Sequence, residues 1–267
     1  MTARLVTAAI GLPVLALAIW FGAAWFSALV AAAAGLGALE FCQLGERWRR
    51  RPIPALSTVW AVALVAGAYL VSSGDSGAEV LLVVGGASVA ILLWVVVRIR
   101  PKASVADWAV TLGAVMYSGG LLAHAPLLRG LEDGREWVFI VVLVTFATDT
   151  AAFFFGRSLG RTPLAPRVSP GKTWEGAAAG LVAATVAAPV LAGVFGLDVA
   201  VPGAVTLGVL MGVAGQAGDL LESKFKRAAG VKDSGWVLPG HGGVLDRLDS
   251  IVFTIVLVYH FVMWSAS

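Results

Sequence analysis

Gly208–Arg227 reads GVLMGVAGQAGDLLESKFKR, an apolar run that passes into charge without a helix breaker. Its glycines, Gly208, Gly212, Gly215 and Gly218, stand at the small-residue spacing that lets a neighbouring helix approach closely. If the helix continues past the apolar stretch, Asp219, Ser223 and Lys226 fall at i, i+4 and i+7 on one face. A carboxylate, a hydroxyl and an ammonium would then line one wall. The rest of the chain gives that wall its setting. Of 267 residues, 59% are hydrophobic and only 13% charged, with a mean hydropathy of +0.89, whereas soluble domains carry about 25% charged residues. The chain reads as an all-α, polytopic integral membrane protein.

Apolar runs of about 17–25 residues suit membrane-crossing helices. About nine are legible: Leu5–Phe21, Ala23–Phe41, Ala55–Val71, Ala78–Val97, Val105–Leu127, Trp137–Phe155, Gly176–Leu197, Val199–Leu220 and Ser250–Trp264. The first is expected to be a retained anchor, because only Arg4 precedes it and Gly11–Pro13 interrupts it. With the N-terminus cytosolic and the C-terminus outside, every one of the 19 Lys and Arg except Arg129 and Arg135 falls on the inner side, as the positive-inside rule requires. No repeat or linker divides the chain, so residues 1–267 are expected to form a single membrane-embedded domain. The lone Cys42 and three His leave no disulfide and no Cys/His zinc cluster. Topology accounts for the basic residues, and no nucleic-acid-binding motif accompanies them.

The long inner connection, Glu222–Asp249, is ESKFKRAAGVKDSGWVLPGHGGVLDRLD. Lys224, Lys226, Arg227, Lys232 and Arg247 are interleaved with Glu222, Asp233, Asp246 and Asp249. That mixture suits carboxylates holding a divalent metal while Lys and Arg neutralise phosphate oxygens; an ordinary basic cytosolic loop is the plain alternative. Asp246, Asp249 and Ser250 stand at i, i+3 and i+4 where the last span begins. Carboxylates crowded at a helix N-terminus, a position that favours anions, point to a shared cation. Asp219 and Asp246 are the first candidates as metal ligands, with Asp249 behind them. Gly242 and Gly243, in PGHGG, permit positive φ and close ligand approach. His241 between the glycines would contact phosphate or base, or make a structural hydrogen bond.

The other long inner connection contains RVSPGKTWEG, Arg167–Gly176. It is not a P-loop, which needs glycine where Pro166 stands. Ser169, Lys172, Thr173 and Glu175 still offer a phosphate or metal wall, and Ser-Pro-Gly marks a turn. Asp149, set within VTFATDTAAFFF, is an intramembrane carboxylate and a functional candidate by cost alone. Glu40 and Asp107 lie near enough to span ends to reach the interface, which favours a structural reading. Trp20, Trp25, Trp48, Trp94, Trp137 and Trp264 read as interfacial anchors.

The run Ser223-x-Phe225-Lys226-Arg227, then Lys232-Asp233, Gly235, Leu238-Pro239, His241-Gly242-Gly243, Asp246-Arg247 and Asp249 resembles the full signature of the phosphatidate cytidylyltransferase (CDP-diacylglycerol synthase) family. SPGKTWEG and Asp149 resemble its less specific blocks. The resemblance implies the reaction CTP + phosphatidate → CDP-diacylglycerol + pyrophosphate in phospholipid synthesis. It would run at the cytosolic face of a bacterial plasma (inner) membrane, with Mg²⁺ as cofactor and a second cation left open. It assigns Asp219, Asp246 and Asp249 to metal, Lys226, Arg227, Lys232 and Arg247 to phosphates, and His241 to positioning. Ser223 becomes a polar orienter. CTP, phosphatidate and membrane lipids are the implied partners, with a homodimer implied by the resemblance alone. Two rivals are a CTP-dependent lipid-alcohol kinase, which shares an SPGKT-like block, and a transporter, for which paired broken helices would be expected.

Overall fold

The computed structural model describes residues 2–74, 104–237 and 242–265, with backbone alone for 2–8. The expected fourth span, Ala78–Val97, and His241 lie outside the described residues. The chain packs as two compact units. One comprises Met1–Leu131 with Ala228–Asp246, and the other Glu132–Arg227 with Arg247–Ser267.

In the first unit, α1 (Thr2–Phe21), α2 (Ala23–Arg47) and α3 (Pro54–Ser72) are followed by α4 (Val105–Ala114), a π-helical segment (Val115–Gly120) and α5 (His124–Arg129). Pro54 opens α3 at a first-turn position where its missing N–H is not needed. Ser104 and Asp107 form a reciprocal capping box at the start of α4. Asp107 also accepts the Arg51 backbone N–H at 2.8 Å. This bears out the structural reading of Asp107. The fifth expected span is therefore not one regular helix. Its π-helical segment lies against α3 so tightly that a Cβ on Gly119 would sit 2.5 Å from Ala61 Cα.

The second unit holds α6 (Gly134–Leu159), the strands β1 (Pro163–Ala165) and β2 (Ser169–Thr173), α7 (Trp174–Phe195), α8 (Val201–Ala228) and α10 (Ile251–Ser265). A single turn, α9 (Leu245–Leu248), precedes α10. The strands pair antiparallel, Pro163 opposite Thr173 and Ala165 opposite Ser169. The all-α expectation thus needs one small amendment: the Ser-Pro-Gly segment is strand, and the hairpin turn falls between Ala165 and Ser169. Helix α6 packs along α7, and α10 packs on α6. Trp137 is 5% exposed and sits edge-on to Phe261, with centroids 6.4 Å apart. It is a core residue, not the interfacial anchor its position suggested.

The glycines of α8 serve two neighbours. A Cβ on Gly212 would lie 2.9 Å from Leu181 on α7, and one on Gly218 would lie 2.5 Å from Phe253 on α10. Small residues thus bring both helices against α8 where lipid supplies no hydrophobic driving force. Val182, Val186, Val190 and Val194 form an exposed i+4 stripe on α7, as a lipid-facing surface should. Among the described residues, six helices are long and apolar enough to cross a membrane: Ala23–Arg47, Pro54–Ser72, Val105–Arg129, Gly134–Leu159, Trp174–Phe195 and Val201–Ala228. Ala9–Phe21 and Ile251–Ser265 are shorter apolar helices. Helix α8 runs to Ala228, so the first seven residues of the 222–249 island are helix, not loop.

Candidate active site

In the second unit a cavity of about 440 Å³ is lined by Asp149, Arg157, Lys172, Thr173, Gln216 and Asp219, with Ala152 and Phe153 as apolar wall. Four elements build it, with Gly176 and Ala177 of α7 on one wall. Helix α6 supplies Asp149 and Arg157, the hairpin supplies Lys172, and α8 supplies Gln216 and Asp219. Lys172 forms an ion pair with Asp219. The Ser223 hydroxyl donates to Asp219 Oδ1 at 3.3 Å, so the i, i+4 pair predicted on one face of α8 does meet. Gln216 donates to the Ala177 carbonyl at 3.2 Å and to Gly212 O at 3.0 Å, tying α8 to α7 beside the cavity.

Several expected ligand-binding groups have structural partners. Thr173 is the N-cap of α7 and accepts the Gly176 N–H at 3.2 Å. Glu175 accepts the Thr162 N–H at 3.2 Å and so anchors the start of the hairpin. Arg227 donates from Nε to Val168 O at 3.0 Å, holding the hairpin turn. Lys226 is 8% exposed and pairs with Glu222, 1% exposed, at 2.9 Å. Ser169 begins β2, half-buried, and Arg247 is exposed. Asp249 stands just before α10, where its Oδ1 accepts the Ser250 N–H at 2.7 Å. Burial first, then the Asp219 carboxylate, pushes Asp249 up to about 7.

The first unit contains the rest of the signature. Three donors converge on Asp246 Oδ2: Ser234 N at 2.8 Å, Ser234 Oγ at 2.9 Å and Gly243 N at 2.8 Å. Gly242 turns the chain with φ +83°, and a Cβ there would lie 2.7 Å from Asp246 Oδ2. Lys232 and Asp233 are exposed in the same segment. Ser234, Gln216 and Arg157 were not singled out from sequence. For Gln216 a signal existed, since it is the lone amide in the apolar part of α8. Glu40 is 2% exposed, which corrects the expectation that it reaches the interface.

No group of three His, Cys, Asp or Glu forms a ready-made metal cage among the described residues. The donor set nevertheless suits Mg²⁺, which keeps waters and phosphate oxygens among its ligands and needs only one or two carboxylates. Asp219 lies on the cavity wall, and its carboxylate pushes Asp249 up; a divalent cation held by the two would relieve that repulsion.

Apolar helices of membrane-crossing length that present Lys, Arg and Asp to one cavity define a membrane protein equipped for phosphoryl-group chemistry. The chain matches the model of the cytidylyltransferase family over residues 2–265. It belongs to that family and is a membrane-bound nucleotidyltransferase. A protein of Brucella suis named phosphatidate cytidylyltransferase is 40% identical over 209 residues, covering 76% of this chain and 72% of that protein. Proteins of the same name from Bacillus subtilis (41% identical, covering 56% of each chain) and Staphylococcus saprophyticus (38% identical, covering 63% of this chain and 64% of that one) are also similar.

Proposed function

We propose that this chain transfers the cytidylyl group of CTP to phosphatidate, giving CDP-diacylglycerol and pyrophosphate at the cytosolic face of a bacterial plasma membrane. A phosphate oxygen of phosphatidate forms the new bond to the α-phosphorus of CTP as the bond to the β-phosphate bridging oxygen breaks. The lipid phosphate is already ionised, so no strong general base is required. The observation that carries the reading is the meeting of Lys172 and Asp219 on the wall of the cavity, in a chain that matches the family over nearly its whole length.

Lys172 and Arg157 bring positive charge to the cavity for triphosphate oxygens, and Ser223 orients Asp219. Charge placed in advance where phosphate charge shifts during transfer lowers the barrier without further reorganisation. Phe153 lines the cavity while remaining 61% exposed, which suits lateral entry of a lipid. Lys232, Arg247 and His241 are assigned to phosphates or positioning on the resemblance. Asp219 and Asp249 are the carboxylates of the second unit assigned to Mg²⁺; Asp246 is assigned to a cation on the resemblance. When bound, Mg²⁺ would neutralise triphosphate charge and favour departure of pyrophosphate.

Purified protein supplied with CTP, phosphatidate and Mg²⁺ should release pyrophosphate and form CDP-diacylglycerol. Chelation with EDTA should abolish product, and added Mg²⁺ should restore it. Turnover of a lipid alcohol with no reaction of phosphatidate would overturn the assignment and establish a kinase.

A further inference from the structure

Glu40 is a buried carboxylate in an apolar helix, yet the chemistry above makes no use of it. Its oxygens are fully engaged by one segment of the first unit. Oε1 accepts the Val244 N–H at 2.9 Å, and Oε2 accepts the Leu245 N–H at 2.9 Å and the Ser234 hydroxyl at 3.0 Å. The partner segment is shaped around this carboxylate: a Cβ on Gly235 would lie 2.6 Å from Glu40 Oε1, and one on Gly243 would collide with Oε2. Two of the signature glycines are thus explained by room for Glu40. Ser234 also donates toward Asp246 Oδ2 at 2.9 Å. A hydroxyl has a single proton, so Glu40 and Asp246 compete for the same donor, and the loss of either changes the other's hydrogen bonding.

A carboxylate buried without partners is strongly disfavoured, and two backbone N–H groups with a shared hydroxyl offset that cost. Simple anchoring would need no link to Asp246. The Ser234 bridge supplies one: Ser234 N and Gly243 N donate to Asp246 Oδ2, and the Ser234 hydroxyl is shared between Oδ2 and Glu40 Oε2, so the bonding of Asp246 depends on residues that Glu40 holds. We propose that Glu40 is a positioning residue for Asp246, holding Ser234, Val244 and Leu245 and sharing the Ser234 hydroxyl with the Asp246 carboxylate. This rests on the assignment of Asp246 to the cation.

The test uses the full chain in detergent micelles and compares wild type, Glu40→Gln and Ser234→Ala. Glu40→Gln turns one acceptor into an NH₂ group facing backbone N–H donors. It should lower kcat by about tenfold with the KM for CTP nearly unchanged, as loss of an orienting partner does. Amide hydrogen exchange at Val244 and Leu245 should rise about tenfold, reporting the opened clamp. Ser234→Ala keeps the backbone bonds to Glu40 and removes only the bridge. It should weaken Mn²⁺ binding, read by electron paramagnetic resonance, by about tenfold while exchange at Val244 and Leu245 stays at the wild-type rate.

Wild-type exchange at Val244 and Leu245 in Glu40→Gln, or wild-type kcat and Mn²⁺ affinity in Ser234→Ala, overturns the proposal. If Glu40→Gln fails to fold, Ser234→Ala alone decides. Should wild type form no CDP-diacylglycerol while both variants bind Mn²⁺ more weakly, the phosphatidate assignment falls and the Glu40 clamp stands.

Discussion

Asp219 is held from two sides, by Lys172 on the hairpin and by Ser223 one turn on in α8. Replacing it with Asn keeps its shape but removes the charge that balances Lys172 and the charge offered to a cation. Asp219→Asn should reduce kcat/KM for CDP-diacylglycerol formation on the order of 100-fold, about 2.7 kcal/mol, measured as radiolabelled CTP incorporated into lipid. Unchanged turnover would remove Asp219 from the machinery. Lys226 was expected to contact phosphate, and its burial against Glu222 shows why a sequence cannot rank cations. Residues Lys224, Lys226 and Arg227 are similar on paper, but one points to Glu222, one to a carbonyl and one to solvent. Asp246 and Ser223 were legible because the signature fixes them. Glu40 and Ser234 were not, since their partnership joins distant parts of the chain.

At the scale of the element, α8 is both a packing spine and a carrier of chemistry. Its apolar length and its glycines could be read from 3.6-residue periodicity, whereas its continuation to Ala228 stood only as a condition. The division of those glycines between α7 and α10 could not be read. A Cβ on Gly208 would lie 2.5 Å from Ala184 O, a backbone atom that cannot turn aside, whereas one on Gly193 meets nothing within 4 Å. Gly208→Leu should therefore destabilise the protein by about 1–3 kcal/mol through overpacking, seen as a lower midpoint in thermal size-exclusion assays. Gly193→Leu should leave the midpoint unchanged. The hairpin escaped sequence reading because a five-residue strand rich in Pro and Gly carries little period-2 signal. Its register matters all the same, since it presents Lys172 to α8.

For the whole molecule, charge asymmetry predicts that the Arg47–Arg51 connection is cytosolic and that Glu132 lies outside. Cys42 is buried and the sequence holds no other cysteine, so a Cys42→Ser background suits single-cysteine labelling. In intact cells, an impermeant maleimide should modify Glu132→Cys and spare Arg50→Cys until the membrane is opened. The opposite pattern would invert the orientation and move the proposed site away from cytosolic CTP.

The sequence by itself determined the membrane class, most of the spans and the family resemblance. These depend on composition, local periodicity and fixed spacing, which a linear chain displays. Tertiary structure alone decided which charges meet. It paired Lys172 with Asp219, buried Lys226 on Glu222, capped α7 with Thr173 and set Glu40 against Ser234, Val244 and Leu245. Apart from the Lys226 pair and the Thr173 cap, these contacts join residues far apart in sequence. The strength of a buried charge depends on its neighbours and its access to water, and both exist only once the helices have packed.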